Sequence, residues 1–141
     1  MFPRGVNLEQ LEAMSQNTLV SHLGIEFVEI GPDFIKGKMP VDQRTHQPLG
    51  LLHGGASVVL AETLGSVGAT LLVNPKEQYC VGLEINANHI KSVRSGFVTG
   101  IAKPVHVGKR THIWEIRITS EADELVCISR ITMAVIDKKK G

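Results

Sequence analysis

The sequence predicts an α+β fold in which a curved antiparallel sheet of six strands wraps around one long helix. A central stretch rich in Ala, Val, Leu and Gly holds a single charged residue, as in a helix buried on most sides. The second half alternates apolar and polar residues with a period of two, which is typical of strands. Helices and strands do not alternate along the chain, which argues against a doubly wound sheet. With 141 residues, we expect a single domain spanning 1–141.

The N-terminal part of the chain predicts a short helix followed by a hairpin. Asn7 and Gln10 have the spacing of a capping box, and apolar residues then recur at helical intervals. Two apolar runs, 25–30 and 34–41, flank Gly31-Pro32-Asp33, whose residue types favour a tight turn. We therefore expect the first two strands to pair through this turn.

The long helix is expected over residues 53–73, after a polar loop at 42–50. At a rise of 1.5 Å per residue it would be about 30 Å long. Glu62 is the single charged side chain within it. Because burying a carboxylate without a partner is costly, a buried Glu62 would need a functional or structural reason.

Four further strands are expected after Asn74-Pro75. In the first of them, Val81, Leu83, Ile85 and Ala87 would share one face. The other three are expected at 97–107, around 114–118 and at 125–136.

Composition and charge exclude several classes of function. A formal net charge of +1 gives no global field for nucleic acid or a membrane surface, and no apolar run has the length of a membrane span. Cys80 and Cys127 form neither a C-x-x-C pair nor a disulfide framework, and the N-terminus lacks a signal peptide, so we expect a cytoplasmic protein. The six histidines lack metal-ligand spacing, and motifs for dinucleotides, P-loops and serine hydrolases are absent. We expect neither a metal nor a cofactor.

The start of the long helix is the strongest candidate site. His53-Gly54-Gly55 lies where unpaired backbone N–H groups and the positive end of the helix dipole favour a developing oxyanion. Glu62 and Ser66 follow on one face of the helix, four residues apart. Alternatively, Gly54-Gly55 is a tightly packed loop end, His53 is a satisfied helix-start histidine, and Glu62 is a structural carboxylate.

A second candidate cluster contains basic turns. Residues 86–94 end a strand and include His89 and Lys91, and residues 106–111 place Lys109 and Arg110 beside a turn. Positive side chains, hydroxyls and backbone N–H groups in such turns can bind the phosphates of a nucleotide-bearing carrier. Taken alone, these segments are better interpreted as ordinary solvated turns.

Several sequence runs carry a family resemblance: Met39-Pro40-Val41-Asp42, Gln47-Pro48, Gly50-Leu51-Leu52-His53-Gly54-Gly55, Val58-Val59-Leu60-Ala61-Glu62, residues 81–89 and Ser129-Arg130. Through them the chain resembles the hotdog-fold acyl-CoA thioesterases. The branch it resembles includes 1,4-dihydroxy-2-naphthoyl-CoA hydrolases and 4-hydroxybenzoyl-CoA thioesterases. The resemblance implies a hotdog fold.

The resemblance also implies an activity and its residues. An acyl- or aryl-CoA thioester would be hydrolysed with Glu62 as nucleophile or general base and the Gly54 N–H as oxyanion hole. His53 would position the carbonyl, Gln47 would orient the thioester and Ser66 would help hold the hydrolytic water. The implied substrate-binding residues are Gly82, His89, Ile90, Lys91, Ser92, His106, Val107, Gly108, Lys109, Arg110 and Thr111.

In this family the site is shared between two subunits, so the resemblance implies a homodimer, with dimers pairing into a homotetramer. One candidate substrate is 1,4-dihydroxy-2-naphthoyl-CoA of menaquinone biosynthesis. Leu49 stands where the branch often carries Phe, so if position 49 lines the acyl pocket, the resemblance implies a pocket that is roomier or less aromatic. Two alternatives stay open: an acyl-CoA-binding sensor, and a hotdog dehydratase that acts on thioesters of an acyl-carrier-protein partner. The His-Phe-Pro segment of such dehydratases and the helix-turn-helix of a regulator are both absent.

Overall fold

The computed structural model describes residues 1–139, in which three helices and six strands occur. The helices are α1 (Leu8–Ser15), α2 (Leu19–His22) and α3 (Gly54–Leu71); the strands are β1 (Glu26–Ile30), β2 (Ile35–Pro40), β3 (Gln78–His89), β4 (Phe97–Val107), β5 (Thr111–Ser120) and β6 (Leu125–Asp137). All strands lie in one antiparallel sheet with the order β1-β2-β4-β5-β6-β3. The predicted fold class is therefore confirmed. None of the helices in this part of the chain is long and apolar enough to cross a membrane.

The core lies between α3 and the sheet, because α3 packs against five strands, β2 to β6. Leu64 on α3 is fully buried against a pair of glycines that face each other in neighbouring strands, Gly37 in β2 and Gly100 in β4. A Cβ at either glycine would lie 2.8 Å from a methyl group of Leu64. The absence of side chains at these positions allows the helix to approach the sheet closely.

The N-terminal segment begins as predicted. The Gln10 N–H donates to Asn7 Oδ1 at 2.9 Å, and the Asn7 N–H donates to Gln10 Oε1, which completes the capping box. Helix α1 is tied to the sheet where the Phe27 N–H donates to Glu12 Oε1 at 3.1 Å. The short helix α2, capped by Thr18, was not predicted, since four residues give no periodic signal.

Strand β3 departs from the expected alternation. It pairs with β6, and its other edge has no partner strand within residues 1–139. The register shifts between Gly82 and Glu84, which marks a bulge. Val81 and Leu83 are 41% and 65% exposed, whereas Ile85 is half-buried. The prediction that these three side chains share one face is therefore wrong, because the bulge adds a residue to the strand.

Candidate active site

The loop before α3 is a small closed turn that fixes Gln47. His46 and Leu52 form an isolated antiparallel bridge, and the His53 N–H donates to the Thr45 carbonyl at 2.8 Å. Gln47 Oε1 accepts the N–H of Leu49. Because this oxygen is engaged in the loop, the Gln47 amide nitrogen is left as a hydrogen-bond donor for another group.

His53 is the N-cap of α3, and Gly54 is its first residue. The Gly55 N–H donates to His53 Nδ1 at 2.7 Å. A neutral imidazole that accepts at Nδ1 carries its proton on Nε2, so the ring presents a second donor. The Gly54 N–H has no acceptor among residues 1–139 and points out of the positive end of the helix dipole.

The His89 imidazole lies against Gly54. A Cβ on Gly54 would be 2.8 Å from His89 Nε2, which is closer than real Cβ atoms approach. The absence of a side chain at Gly54 therefore allows the end of β3 to meet the start of α3. As a result, two segments separated by more than thirty residues form one site.

This contact forms one wall of a cleft of about 290 Å³. Six predicted site residues line it: Gln47, Gly54, His89, Ile90, Lys91 and Ser92. Sequence reasoning missed Leu51, Leu52, Ser57 and Val126, which complete the lining. Lys91 pairs with Glu124, and both side chains are about half exposed. Such surface pairs contribute little energy, so Lys91 can exchange Glu124 for another anion.

Glu62 and Ser66 lie elsewhere on α3. Glu62 is exposed, and its Oε2 would be 3.1 Å from a Cβ on Gly82 of β3. The expectation that Glu62 is buried is wrong for the single chain. Ser66 is half-buried with its Oγ 3.7 Å from Met133 Sδ.

Within one chain, Gly54 and Glu62 are too far apart to act on one carbonyl group. They are eight residues apart on a continuous helix, a rise of about 12 Å. A thioester carbonyl bound to the Gly54 N–H is therefore out of reach of the Glu62 carboxylate of the same chain. A single chain therefore does not bring Glu62 and Ser66 to a carbonyl beside Gly54, and the shared site that the resemblance implies stays a prediction.

The basic turn at residues 106–111 lies at the other end of α3. Val107, Gly108, Lys109 and Arg110 line a second cleft, of about 380 Å³, together with Leu72 and Val73 just beyond α3. The length of α3, 18 residues or about 27 Å, separates this cleft from Gly54. Lys109 and Arg110 make no ion pair with another described residue.

His112, which sequence reasoning did not single out, also lines the second cleft. It is buried on β5, and its Nδ1 has no hydrogen-bond partner in the described part of the chain. Burial lowers the pKa of His112, and the nearby His106 lowers it further. Within residues 1–139, no cluster of three or more His, Cys, Asp or Glu side chains is placed to hold a metal ion.

Comparison with known proteins identifies the family. The sequence model of the thioesterase superfamily matches residues 49–127, from the loop that follows Gln47 to β6. The chain belongs to the thioesterase superfamily. It is 52% identical to the 1,4-dihydroxy-2-naphthoyl-CoA hydrolase of Escherichia coli strain K12, over 96% of this chain and 99% of that protein. Thioesterase-type hydrolysis of acyl-CoA thioesters is the activity that family and relatives support.

Solved structures of thioesterases share the fold. A Pseudomonas aeruginosa thioesterase, crystallised with one glutamine replaced by alanine, superposes with a TM-score of 0.95 at 48% identity and covers 97% of this chain and 99% of its own. Two structures of a Staphylococcus aureus thioesterase superpose with TM-scores of 0.82 and 0.80 at 37% identity, over 85% and 83% of this chain and 99% and 97% of theirs. In one of them a glutamate is replaced by alanine. In the other, alanine replaces a glutamine that lies fifteen residues before that glutamate.

Proposed function

We propose that this thioesterase hydrolyses an acyl- or aryl-CoA thioester to the free acid and CoA, with the Gly54 N–H as oxyanion hole and Glu62 as nucleophile or general base. The observation that carries the proposal is the unpaired Gly54 N–H at the start of α3, inside a cleft. A backbone donor fixed in this way stabilises an oxyanion without reorganising during the reaction.

Either role of Glu62 gives the same products. As a nucleophile, its carboxylate attacks the thioester carbon, the C–S electron pair leaves with sulfur, and water hydrolyses the resulting anhydride. As a general base, it takes a proton from water while the water oxygen attacks that carbon, and the C–S electron pair then leaves with sulfur, which takes up the proton to give free CoA. Both routes place negative charge on the carbonyl oxygen. The Gly54 N–H, the Gln47 amide and His53 Nε2 are the donors available for that oxygen, and Ser66 would help hold the water.

The spacing of Gln47 and Glu62 supports their assignment. They are fifteen residues apart, as are the glutamine and the glutamate replaced in the two Staphylococcus aureus structures. This chain is 37% identical to that thioesterase. We therefore assign Gln47 and Glu62 as a pair that acts on the same thioester.

The site would be completed by a second copy of the chain. A two-fold axis passing beside α3 at the level of Val58, midway between Gly54 and Glu62, would set Gly54 of one chain opposite Glu62 of the partner subunit. The unpaired edge of β3 supports such a dimer, because Tyr79, Val81 and Leu83 on that strand are exposed. Dimers would pair further into a tetramer.

The same pairing would unite the two basic clusters. With the α3 helices antiparallel, the second cleft of one chain, with Lys109 and Arg110, would approach the Gly54 end of the other. Together with Lys91 these side chains would bind the phosphates of CoA, whereas Gly82 and residues 89–92 would contact the rest of the carrier. An enzyme acting on CoA esters in the cytoplasm is consistent with its two free cysteines.

The acyl group proposed first is 1,4-dihydroxy-2-naphthoyl, from the name of the Escherichia coli relative. Leu49 is exposed on the Gln47 loop and would contribute an aliphatic surface beside the acyl group. A thiol-release assay across naphthoyl-CoA, benzoyl-CoA, straight-chain acyl-CoA and acyl-carrier-protein thioesters would identify the substrate. If Glu62→Gln hydrolysed every substrate as fast as the wild type, the proposed function would be wrong.

Subunit complementation tests the shared site directly. Glu62→Gln and Gly54→Pro, which removes the Gly54 N–H, would each be inactive alone. Co-expressed with different affinity tags, they would form mixed dimers with one intact site, giving about a quarter of wild-type activity in a random mixture. If each chain held its own complete site, mixing would restore nothing.

A further inference from the structure

Ser57 lines the Gly54 cleft, and the proposed mechanism does not use its buried hydroxyl. It is 1% exposed, on the first turn of α3. Lys91 and Ser92, which line the same cleft, are exposed, whereas Val126 in that lining is buried like Ser57. A substrate whose anionic carrier stays near Lys91 would therefore place its acyl group toward Ser57.

The hydroxyl of Ser57 differs from the other buried hydroxyls of the protein. Those of Ser15, Thr45 and Ser129 each donate to a backbone carbonyl, at 2.8, 2.7 and 2.8 Å. Buried polar groups are normally satisfied in this way. The Ser57 hydroxyl makes no hydrogen bond to any residue in 1–139, although it belongs to the lining of the cleft.

An intrahelical partner is within reach of Ser57. Its own N–H already donates to the His53 carbonyl four residues earlier, at 3.2 Å. Ser15 uses the same four-residue geometry to bond its hydroxyl to the Leu11 carbonyl. The Ser57 hydroxyl makes no such bond, and because Ser57 lines the cleft, this leaves the hydroxyl available to a group bound there.

We propose that Ser57 is a specificity-determining residue that hydrogen-bonds a hydroxyl or oxo group next to the thioester carbon of the acyl group. This inference rests on the proposed function, since it takes the carbonyl to be bound at Gly54. Ser57 follows Gly54 by three residues, a rise of about 4.5 Å, so the group it meets is close to the carbonyl. The expected substrates are then thioesters of 2-hydroxyaryl, 3-hydroxyacyl or 3-oxoacyl groups.

The physical basis is the cost of leaving Ser57 unpaired. A hydroxyl in a closed, water-poor site must lose its solvent partner when an acyl group enters. A site that can hydrogen-bond a substrate hydroxyl discriminates strongly against the analogue that lacks it, because the buried group of the protein is then unsatisfied. Benzoyl and saturated acyl groups would therefore be poorer substrates.

The test compares 2-hydroxybenzoyl-CoA with benzoyl-CoA and 4-hydroxybenzoyl-CoA on the full-length protein, measuring kcat/KM by thiol release. We expect the wild type to prefer the 2-hydroxy substrate over the other two by about tenfold or more. Ser57→Ala should reduce that preference to near unity while it still hydrolyses benzoyl-CoA. Dividing the preference of the wild type by the preference of Ser57→Ala cancels the intrinsic reactivity of the esters.

Ser15→Ala is the matched control, because it also removes a buried helical hydroxyl but far from the cleft in sequence. It should keep the wild-type preference. Equal preference in the wild type and Ser57→Ala, or no preference in the wild type, would overturn the inference. If Glu62→Gln is as active as the wild type, the proposed function fails instead, which separates the two outcomes.

Discussion

Replacing Gly54 by proline would remove one hydrogen atom that the proposed mechanism needs. Proline lacks the N–H and is favoured at the first position of a helix, which Gly54 occupies. The preceding residue, His53, has φ −68° and ψ 130°, the extended conformation that a residue before proline adopts. The substitution is therefore compatible with the backbone of α3.

Gly54→Ala is the matched control for this substitution. Both variants add a Cβ that would lie 2.8 Å from His89 Nε2, and the exposed His89 ring must shift in both. Alanine keeps the N–H, so the difference between the two variants isolates the hydrogen bond to the carbonyl oxygen.

Loss of one oxyanion donor typically lowers kcat by about 10²–10³, or about 3–4 kcal/mol of transition-state stabilisation. We expect Gly54→Pro to fall below Gly54→Ala by that factor in a thiol-release assay, while circular dichroism and thermal melting remain alike for the two. Equal kcat values within about threefold would refute the assignment of the Gly54 N–H as the oxyanion hole.

Two further predictions concern histidines. His53→Ala should lower the free energy of unfolding by about 0.5–2 kcal/mol, because the Gly55 N–H loses its acceptor, whereas His53→Asn keeps a capping side chain. Urea titration should distinguish the two variants by their stability. In a thiol-release assay both should show reduced activity, since neither supplies the Nε2 donor. Burial lowers the pKa of His112 in the folded protein below the unfolded value of 6.5, so the unfolded chain binds more protons and stability falls as the pH drops below 6.5. Urea midpoints at pH about 5 and about 7.5 should therefore differ less in His112→Leu than in the wild type, and an unchanged difference would exclude His112 as the cause.

The fold could be predicted because its signals are local. The capping box of α1, the turn at Gly31-Pro32-Asp33 and the alternation in β5 each depend on a few neighbouring residues. The bulge in β3 was missed because one extra residue shifts every later side chain to the other face. Gly82 within that strand was the available signal, since glycine inside a strand often marks a bulge.

The long helix is covered on most sides, as its apolar sequence predicts, since only Gly55, Glu62 and Thr70 among its residues are exposed. Its most deeply buried face carries Leu60, Leu64 and Gly68. Glu62 lies on the remaining face and is exposed. The sequence contains apolar surface for a second cover, but it does not say whether the same chain or another one supplies it.

The candidate site, too, could be predicted from the sequence only in part. Chemistry that depends on a helix start is local, so Gly54 and its cap could be predicted from His53-Gly54-Gly55 and lie together in the structure. Glu62, the proposed nucleophile or base, is separated from Gly54 by a helical rise of about 12 Å, and no rearrangement of side chains removes that separation. An antiparallel pair of α3 helices would cancel it, because the displacement from Gly54 to Glu62 in one chain would be matched by the opposite displacement in its partner. The exposed carboxylate, the exposed apolar residues of β3 and the far position of the basic turn would then have one common explanation, the proposed site assembled from two chains.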